Sequence, residues 1–177
     1  MIAGFIVGCE IAFWLFVLAG LFARYILRRR QLGTVLLLCT PLVDVALLVA
    51  TVVELRGGGI ASFVHGLAAV YIGVSVAFGH AMIRWADARF AHRFAGGPAP
   101  VKPPKGGPEH ARRERTLWLR HLVAYGIGCA ILWAIVLLVG DAARTESLRG
   151  TMQLWSLVVA IDFVWSFSYT FWPKKVR

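Results

Sequence analysis

The sequence predicts an all-α membrane protein, a polytopic helix bundle with five transmembrane helices, and three observations carry that prediction. Five apolar runs each have the length needed to cross about 30 Å of hydrocarbon at about 1.5 Å per residue. Hydrophobic residues make up 59% of the chain and charged residues only 16%, a composition foreign to soluble domains. The cations are segregated: sixteen of the 19 Lys and Arg fall in segments that a five-span chain places on one side. The runs read as residues 2–23, 33–55, 60–83, 117–139 and 151–172, so that residues 1–177 form a single membrane domain with a cytoplasmic loop over 87–116.

Span one has no positive segment ahead of it, and Arg24, Arg28, Arg29 and Arg30 follow it. It therefore reads as an uncleaved anchor, not as a signal peptide. The loop after span three carries Arg84, Arg89, Arg93, Lys102, Lys105, Arg112, Arg113, Arg115 and Arg120, and the chain closes on Lys174, Lys175 and Arg177. Only Arg56, Arg144 and Arg149 fall on the other side. The positive-inside rule then puts the N-terminus outside and the C-terminus in the cytoplasm. A net charge of +10 would suggest nucleic acid for a soluble protein. Here it reads as orientation signal and affinity for a bilayer with anionic headgroups, with no nucleic-acid partner. Cys9, Cys39 and Cys129 all lie inside apolar spans, where they serve most simply as small packing residues.

Both outer connections are short, Arg56–Gly59 and Asp141–Gly150. In the cytoplasmic loop, the Gly- and Pro-rich stretch from Gly96 to Pro108 reads as an extended linker between helical flanks. On the first flank Trp85, Arg89, His92 and Arg93 share one face and Ala86, Phe90 and Phe94 another. That suits a continuation of span three along the headgroups, or a solvated helix end. Val7-Gly8-Cys9-Glu10-Ile11 resembles Ile127-Gly128-Cys129-Ala130-Ile131. The likeness hints at an inverted repeat around span three, although Ala130 stands where Glu10 would need a counterpart.

Glu10, Asp44 and Asp162 each sit near the middle of a span. A carboxylate at that depth costs about 2.5–3.5 kcal/mol, and no Lys or Arg lies level with any of them. Each must be protonated, hydrogen-bonded, or turned toward a hydrated cavity or bound cation. Span two carries the clearest polar stripe, Thr40, Asp44, Thr51 and Glu54 at helical spacing. Pro41 frees the carbonyl of residue 37 and predicts a kink just before Asp44. Two readings stand side by side: a cation or proton site beside broken backbone, or interhelical glue worth about 0.6–2 kcal/mol per contact. Span five repeats the theme with Asp162, Ser166 and Tyr169 on one face. Asp44 and Asp162 would share a proton if their helices meet, and a protonated Asp162 would equally donate to a serine or a backbone carbonyl. Glu10 is about 21 Å along the helix from Arg24, too far to pair, and is expected to face the interior.

Ser62, Gly66, Ala69, Gly73 and Ala77 form a small-residue seam along span three. His65 falls close to Glu54 across the short outer turn, as an outer gate, a weak metal site or a structural hydrogen bond. His80, Arg84, Arg120 and His121 would line a basic inner vestibule or reach lipid phosphates. No HExxH, GxSxG or metal-spaced cluster occurs, and no cofactor is expected.

The run His65-Gly66-Leu67-Ala68-Ala69-Val70-Tyr71-Ile72-Gly73, followed by Phe78-Gly79-His80 and Trp85-Ala86-Asp87, is similar to an uncharacterised family of small bacterial membrane proteins, the YmcC-like proteins. The similarity takes in Pro41-Leu42-Val43-Asp44 and Thr145-Glu146-Ser147-Leu148-Arg149. It implies the bacterial plasma (inner) membrane and brings no established activity or catalytic residues. The leading expectation is a small transporter or ion-conducting protein whose midplane carboxylates bind protons or a cation. Its rivals are a structural or regulatory membrane subunit whose cytoplasmic loop binds a partner and, third, a lipid-acting membrane enzyme. Self-association is expected, because five spans enclose little interior.

Overall fold

The computed structural model describes residues 2–94, 96–101, 103–104 and 106–172, with the side chains of residues 2–7, 10 and 94 outside that description. The described residues form five helices and no strand: α1 (Ile2–Tyr25), α2 (Arg30–Arg56), α3 (Phe63–Phe94), α4 (Gly107–Val139) and α5 (Glu146–Phe171). Four stretches, Arg30–Arg56, Phe63–Arg93, Gly107–Val139 and Glu146–Phe171, are long and apolar enough to cross a membrane. In α1 the described apolar stretch is the shorter Ile11–Tyr25.

Two helices outrun the spans expected for them. Helix α3 continues past residue 83 to Phe94, and α4 starts at Gly107, ten residues before 117. The added segments are rich in Ala, Arg and Glu, which favour helix with or without lipid around them. Helix ends are set instead by the linker, where Gly96 and Gly107 take φ of 65° and 78°.

The chain divides into two compact units, Met1–Ile72 with Gly128–Thr151, and Gly73–Ile127 with Met152–Arg177. In the first, α1 and α2 form a hairpin that turns through Arg28 at φ 55°. Their backbones approach closely at Gly20 and Gly33: a Cβ on Gly33 would lie 2.7 Å from the Gly20 carbonyl oxygen and 2.5 Å from Arg24 Cβ. Within α2, Pro41 has no N–H for the Leu37 carbonyl, and the Thr40 hydroxyl donates to that oxygen at 2.7 Å. A neighbouring hydroxyl thus repairs the ladder that proline breaks. Leu38, Leu42, Val45, Val49 and Val53 make an exposed stripe on the opposite side of α2 from buried Asp44, Leu47, Leu48, Thr51 and Leu55. The outward stripe is purely aliphatic, as suits a helix whose solvent is hydrocarbon.

At the end of this unit where α2 and α4 finish, two arginines exchange caps. Arg56 Nε donates to the Leu138 carbonyl at 2.8 Å, and Arg144 Nη1 donates to the Leu55 carbonyl at 3.3 Å. Each guanidinium meets a last-turn carbonyl at the negative dipole end of a helix: Arg56 that of α4, and Arg144, from the turn that follows α4, that of α2. Arg144 is held in turn by Asp141 at 3.1 Å, and its carbonyl accepts from Ala61 N–H at 2.8 Å.

In the second unit α4 and α5 pair antiparallel through aromatic and polar contacts. Trp118 packs edge-on against Phe163 and Phe167 at 5.1 and 5.4 Å, and its indole N–H donates to the Val159 carbonyl at 3.2 Å. Tyr125 meets Ser156 oxygen to oxygen at 2.7 Å, and Arg115 donates to the Thr170 hydroxyl at 2.8 Å. On α3 the Arg89 guanidinium lies 4.3 Å from the centre of the Trp85 ring.

Gly66 tests the close packing of the first unit, because a Cβ there would fall 2.5 Å from Thr151 Oγ1 and 3.0 Å from Thr151 Cβ. Gly66→Ala should destabilise the detergent-solubilised protein by about 1–3 kcal/mol. Gly126→Ala, at an open position in α4, should stay within about 0.5 kcal/mol of wild type. Thermal or denaturant unfolding of the two variants makes the comparison.

Candidate functional site

Polar side chains in an apolar helix are first claimed by backbone. Thr40 is bonded to the Leu37 carbonyl, and Thr51 donates to the Leu47 carbonyl at 2.9 Å. Two members of the stripe expected along α2 are therefore tied to their own helix. Asp44 is different. It is 6% exposed, and its Oδ2 has no hydrogen-bond partner among the described residues. It opens into a cavity of about 210 Å³ in the first unit, lined from α1 by Cys9, Phe13 and Trp14, from α2 by Val43, Asp44 and Leu47, and from α3 by Val64, Leu67, Ala68 and Tyr71.

Pro41 and Asp44 occupy successive turns of α2, so the repaired backbone lies beside the carboxylate. The cavity floor is buried at Cys9, Asp44, Leu47 and Ala68, while Trp14 and Tyr71 at its rim are 63% and 51% exposed. Phe13 bridges the two rim aromatics, with ring centres 5.7 Å from Trp14 and 6.0 Å from Tyr71. These rings were not among the residues singled out from sequence. The signal was present, since Phe13, Trp14 and Tyr71 lie mid-run, well away from the belt depth where membrane aromatics usually collect.

Glu54 and His65 do come together, His65 Nε2 lying 3.8 Å from Glu54 Oε2. That is too long for a hydrogen bond, and Glu54 Oε2 has none. The imidazole is engaged at its other nitrogen: Ser62 N–H donates to His65 Nδ1 at 3.0 Å, and the Ser62 hydroxyl lies 3.2 Å from the same atom. Ser62 precedes the first residue of α3 and His65 is its third, so the histidine closes a capping box in the place usually held by Glu or Gln. Since Nδ1 accepts, the ring proton sits on Nε2, toward Glu54. Among the described residues no group of three or more His, Cys, Asp or Glu could hold a metal ion.

In the second unit Asp162 has a basic neighbour that sequence reasoning did not assign to it. Asp162 Oδ2 is hydrogen-bonded to His121 Nδ1, and the His121 ring lies 4.9 Å from that of Phe78. Both border a cavity of about 190 Å³ with Val74, Ala124, Trp155, Val158 and Val159. No Lys or Arg lies level with Asp162 in the sequence, and its pairing with a histidine is set by the register of α4 on α5. His121 is therefore engaged away from the other members of the expected vestibule: His80 and Arg84 are exposed on α3, and Arg120 borders a shallow groove on α4 with Glu109, Arg112 and Arg113. Ser166 is buried, and Tyr169 packs on the His110 ring at 4.8 Å. The Glu10 side chain lies outside the described residues, as do Lys102, Lys105, Lys174, Lys175 and Arg177. Asp44 belongs to the first unit and Asp162 to the second, each with neighbours of its own.

The chain is 45% identical over 177 residues to the protein named uncharacterized membrane protein YmcC of Bacillus subtilis (strain 168), a match that covers 99% of this chain and 95% of that relative. No family model matches the chain, and no solved structure matches it.

Two outcomes follow from these geometries. His65→Ala should lower stability by about 1 kcal/mol through loss of the cap, and His65→Gln, which keeps an acceptor for Ser62 N–H, should recover most of it. For His121 and Asp162, a double-mutant cycle with Ala at each position should return a coupling of about 0.6–2 kcal/mol in detergent unfolding. A coupling near zero would mean the pair contributes nothing to folding.

Proposed function

Because this chain belongs to the family of the membrane protein YmcC, a bilayer is its setting, and we propose that it is a small transporter or ion-conducting protein whose Asp44 binds a proton or a cation. The observation that carries the reading is the Asp44 carboxylate, buried in a walled cavity with an oxygen that no described group satisfies. Such a group at mid-helix is expensive unless something positive visits it. The working topology is five spans in a bacterial plasma membrane, the N-terminus outside and the C-terminus in the cytoplasm. Its support is the charge segregation along the sequence.

The second reading is a structural or regulatory subunit, favoured by the state of the other polar groups. His121–Asp162, Tyr125–Ser156 and Arg115–Thr170 join helices and leave little free for transport. In that reading the 87–116 segment meets a partner.

Proteoliposomes holding the purified chain separate the two. Asp44→Asn should lower proton or monovalent-cation flux by on the order of tenfold or more if Asp44 is the site. Flux that equals that of empty vesicles in wild type, or that is unchanged by the substitution, would sink the transport reading and leave the subunit reading in possession.

A further inference from the structure

The lining of the Asp44 cavity narrows which cation it can hold, and this step rests on the reading of Asp44 as a cation site. Magnesium demands six oxygens in octahedral array and calcium six to eight. Among the described residues Asp44 is the one carboxylate in the lining, and no metal-ligating cluster exists there. The backbone oxygen that Pro41 releases nearby, that of Leu37, is already taken by Thr40. A bare inorganic ion would thus exchange its hydration shell, among the described residues, for the Asp44 carboxylate and at most the Tyr71 hydroxyl, in a lining otherwise aromatic, aliphatic or thiol. The space is also too large for one: about 210 Å³, against about 30 Å³ for a water molecule in the liquid.

The same lining suits an organic cation. Phe13, Trp14 and Tyr71 bring three aromatic rings into the cavity that holds the Asp44 carboxylate, and ring faces attract substituted ammonium groups. Val43, Leu47, Val64 and Leu67 offer an apolar wall for the body of such a molecule. Among the described residues no Lys or Arg lines the cavity to repel it. The two most exposed rings stand at the rim, and in a bilayer the exposed side of a single chain meets lipid, the phase in which an amphiphilic cation concentrates. Asp44 lies 14 residues from the start of α2 and 12 from its end, about 20 Å of helix from either. That depth is remote from headgroups and favours a free molecule over the choline of a lipid.

We infer that the cavity between α1, α2 and α3 binds an amphiphilic organic monocation, a substituted ammonium whose charged group meets Asp44 and the rings of Phe13, Trp14 and Tyr71 while its apolar body lies against Val43, Leu47, Val64 and Leu67.

The test uses the full-length chain in a maltoside detergent, with benzyltrimethylammonium as the probe in isothermal titration calorimetry and unfolding curves to show that each variant is folded. Wild type should bind saturably. Asp44→Asn should weaken binding at least about thirtyfold, and Tyr71→Leu, which keeps the charge, by about two- to thirtyfold. Sodium and potassium at equal concentration should not compete. Wild type that ignores benzyltrimethylammonium, yet binds sodium, potassium or protons in an Asp44-dependent way, would overturn this inference and leave the ion-binding reading intact. Absence of any Asp44-dependent binding would overturn both. Equal binding by wild type and Asp44→Asn would place the organic cation elsewhere and overturn the assignment of this cavity.

Discussion

Backbone amides in hydrocarbon have no water to bond to, and most of the polar chemistry of this chain is spent meeting that constraint. It explains the helices, and it also explains side chains that resemble site residues at first sight. Thr40 repairs the carbonyl that Pro41 leaves unpaired. His65 reaches back to the N–H of Ser62, just ahead of α3, and Arg56 and Arg144 donate to last-turn carbonyls of α4 and α2. In water each of these would be one option among several. For Thr40 at mid-span the alternative is a carbonyl bare in lipid, at several kcal/mol, while at the helix ends the same side chains meet groups that the helix itself leaves without partners.

Once the backbone is satisfied, the two units hold their helices by different means. Lipid tails are as apolar as leucine, so burial alone gives helices no reason to associate. The first unit relies on close approach: Gly20 and Gly33 let α1 and α2 touch backbone to backbone, and Gly66 accepts Thr151 where a methyl group would collide. The second uses large rings and hydrogen bonds. Trp118 reaches both the rings and a carbonyl of α5, with His121–Asp162 and Tyr125–Ser156 on the turns that follow. Contact by small residues leaves a gap wherever the helices diverge, and the cavity at Asp44 is lined by the three helices of the first unit that carry such contacts.

The helices were legible because runs of about 20 apolar residues admit no other structure in a bilayer. Asp44 was legible too, because a carboxylate amid aliphatic residues is conspicuous at any register. The fates of the other polar groups were hidden for a common reason: each depends on a partner set by register or by one turn of backbone. The Thr40–Asp44–Thr51–Glu54 stripe is real as spacing, yet its threonines are tied to carbonyls three and four residues back, a contact that periodicity alone does not distinguish from an inward-facing hydroxyl. Asp162 looked as solitary as Asp44 until α4 brought His121 to it. Phe13, Trp14 and Tyr71 stand out in the sequence only by their mid-run position, and it takes folding to gather them into one cavity with Asp44.

The contrast between the two aspartates is the strongest argument for taking the cavity seriously. Both are the same residue in the middle of an apolar helix, and glue is a sufficient account of one of them. Asp162 has what that account requires, a basic partner on the adjacent helix. Asp44 is more deeply buried, yet one of its oxygens has no partner among the described residues. An interhelical bond offsets the cost of bringing a carboxylate into lipid only by being made. The glue reading therefore covers Asp162 and stops short of Asp44, whose aromatic walls and lipid-facing rim are what a site for a visiting positive charge requires.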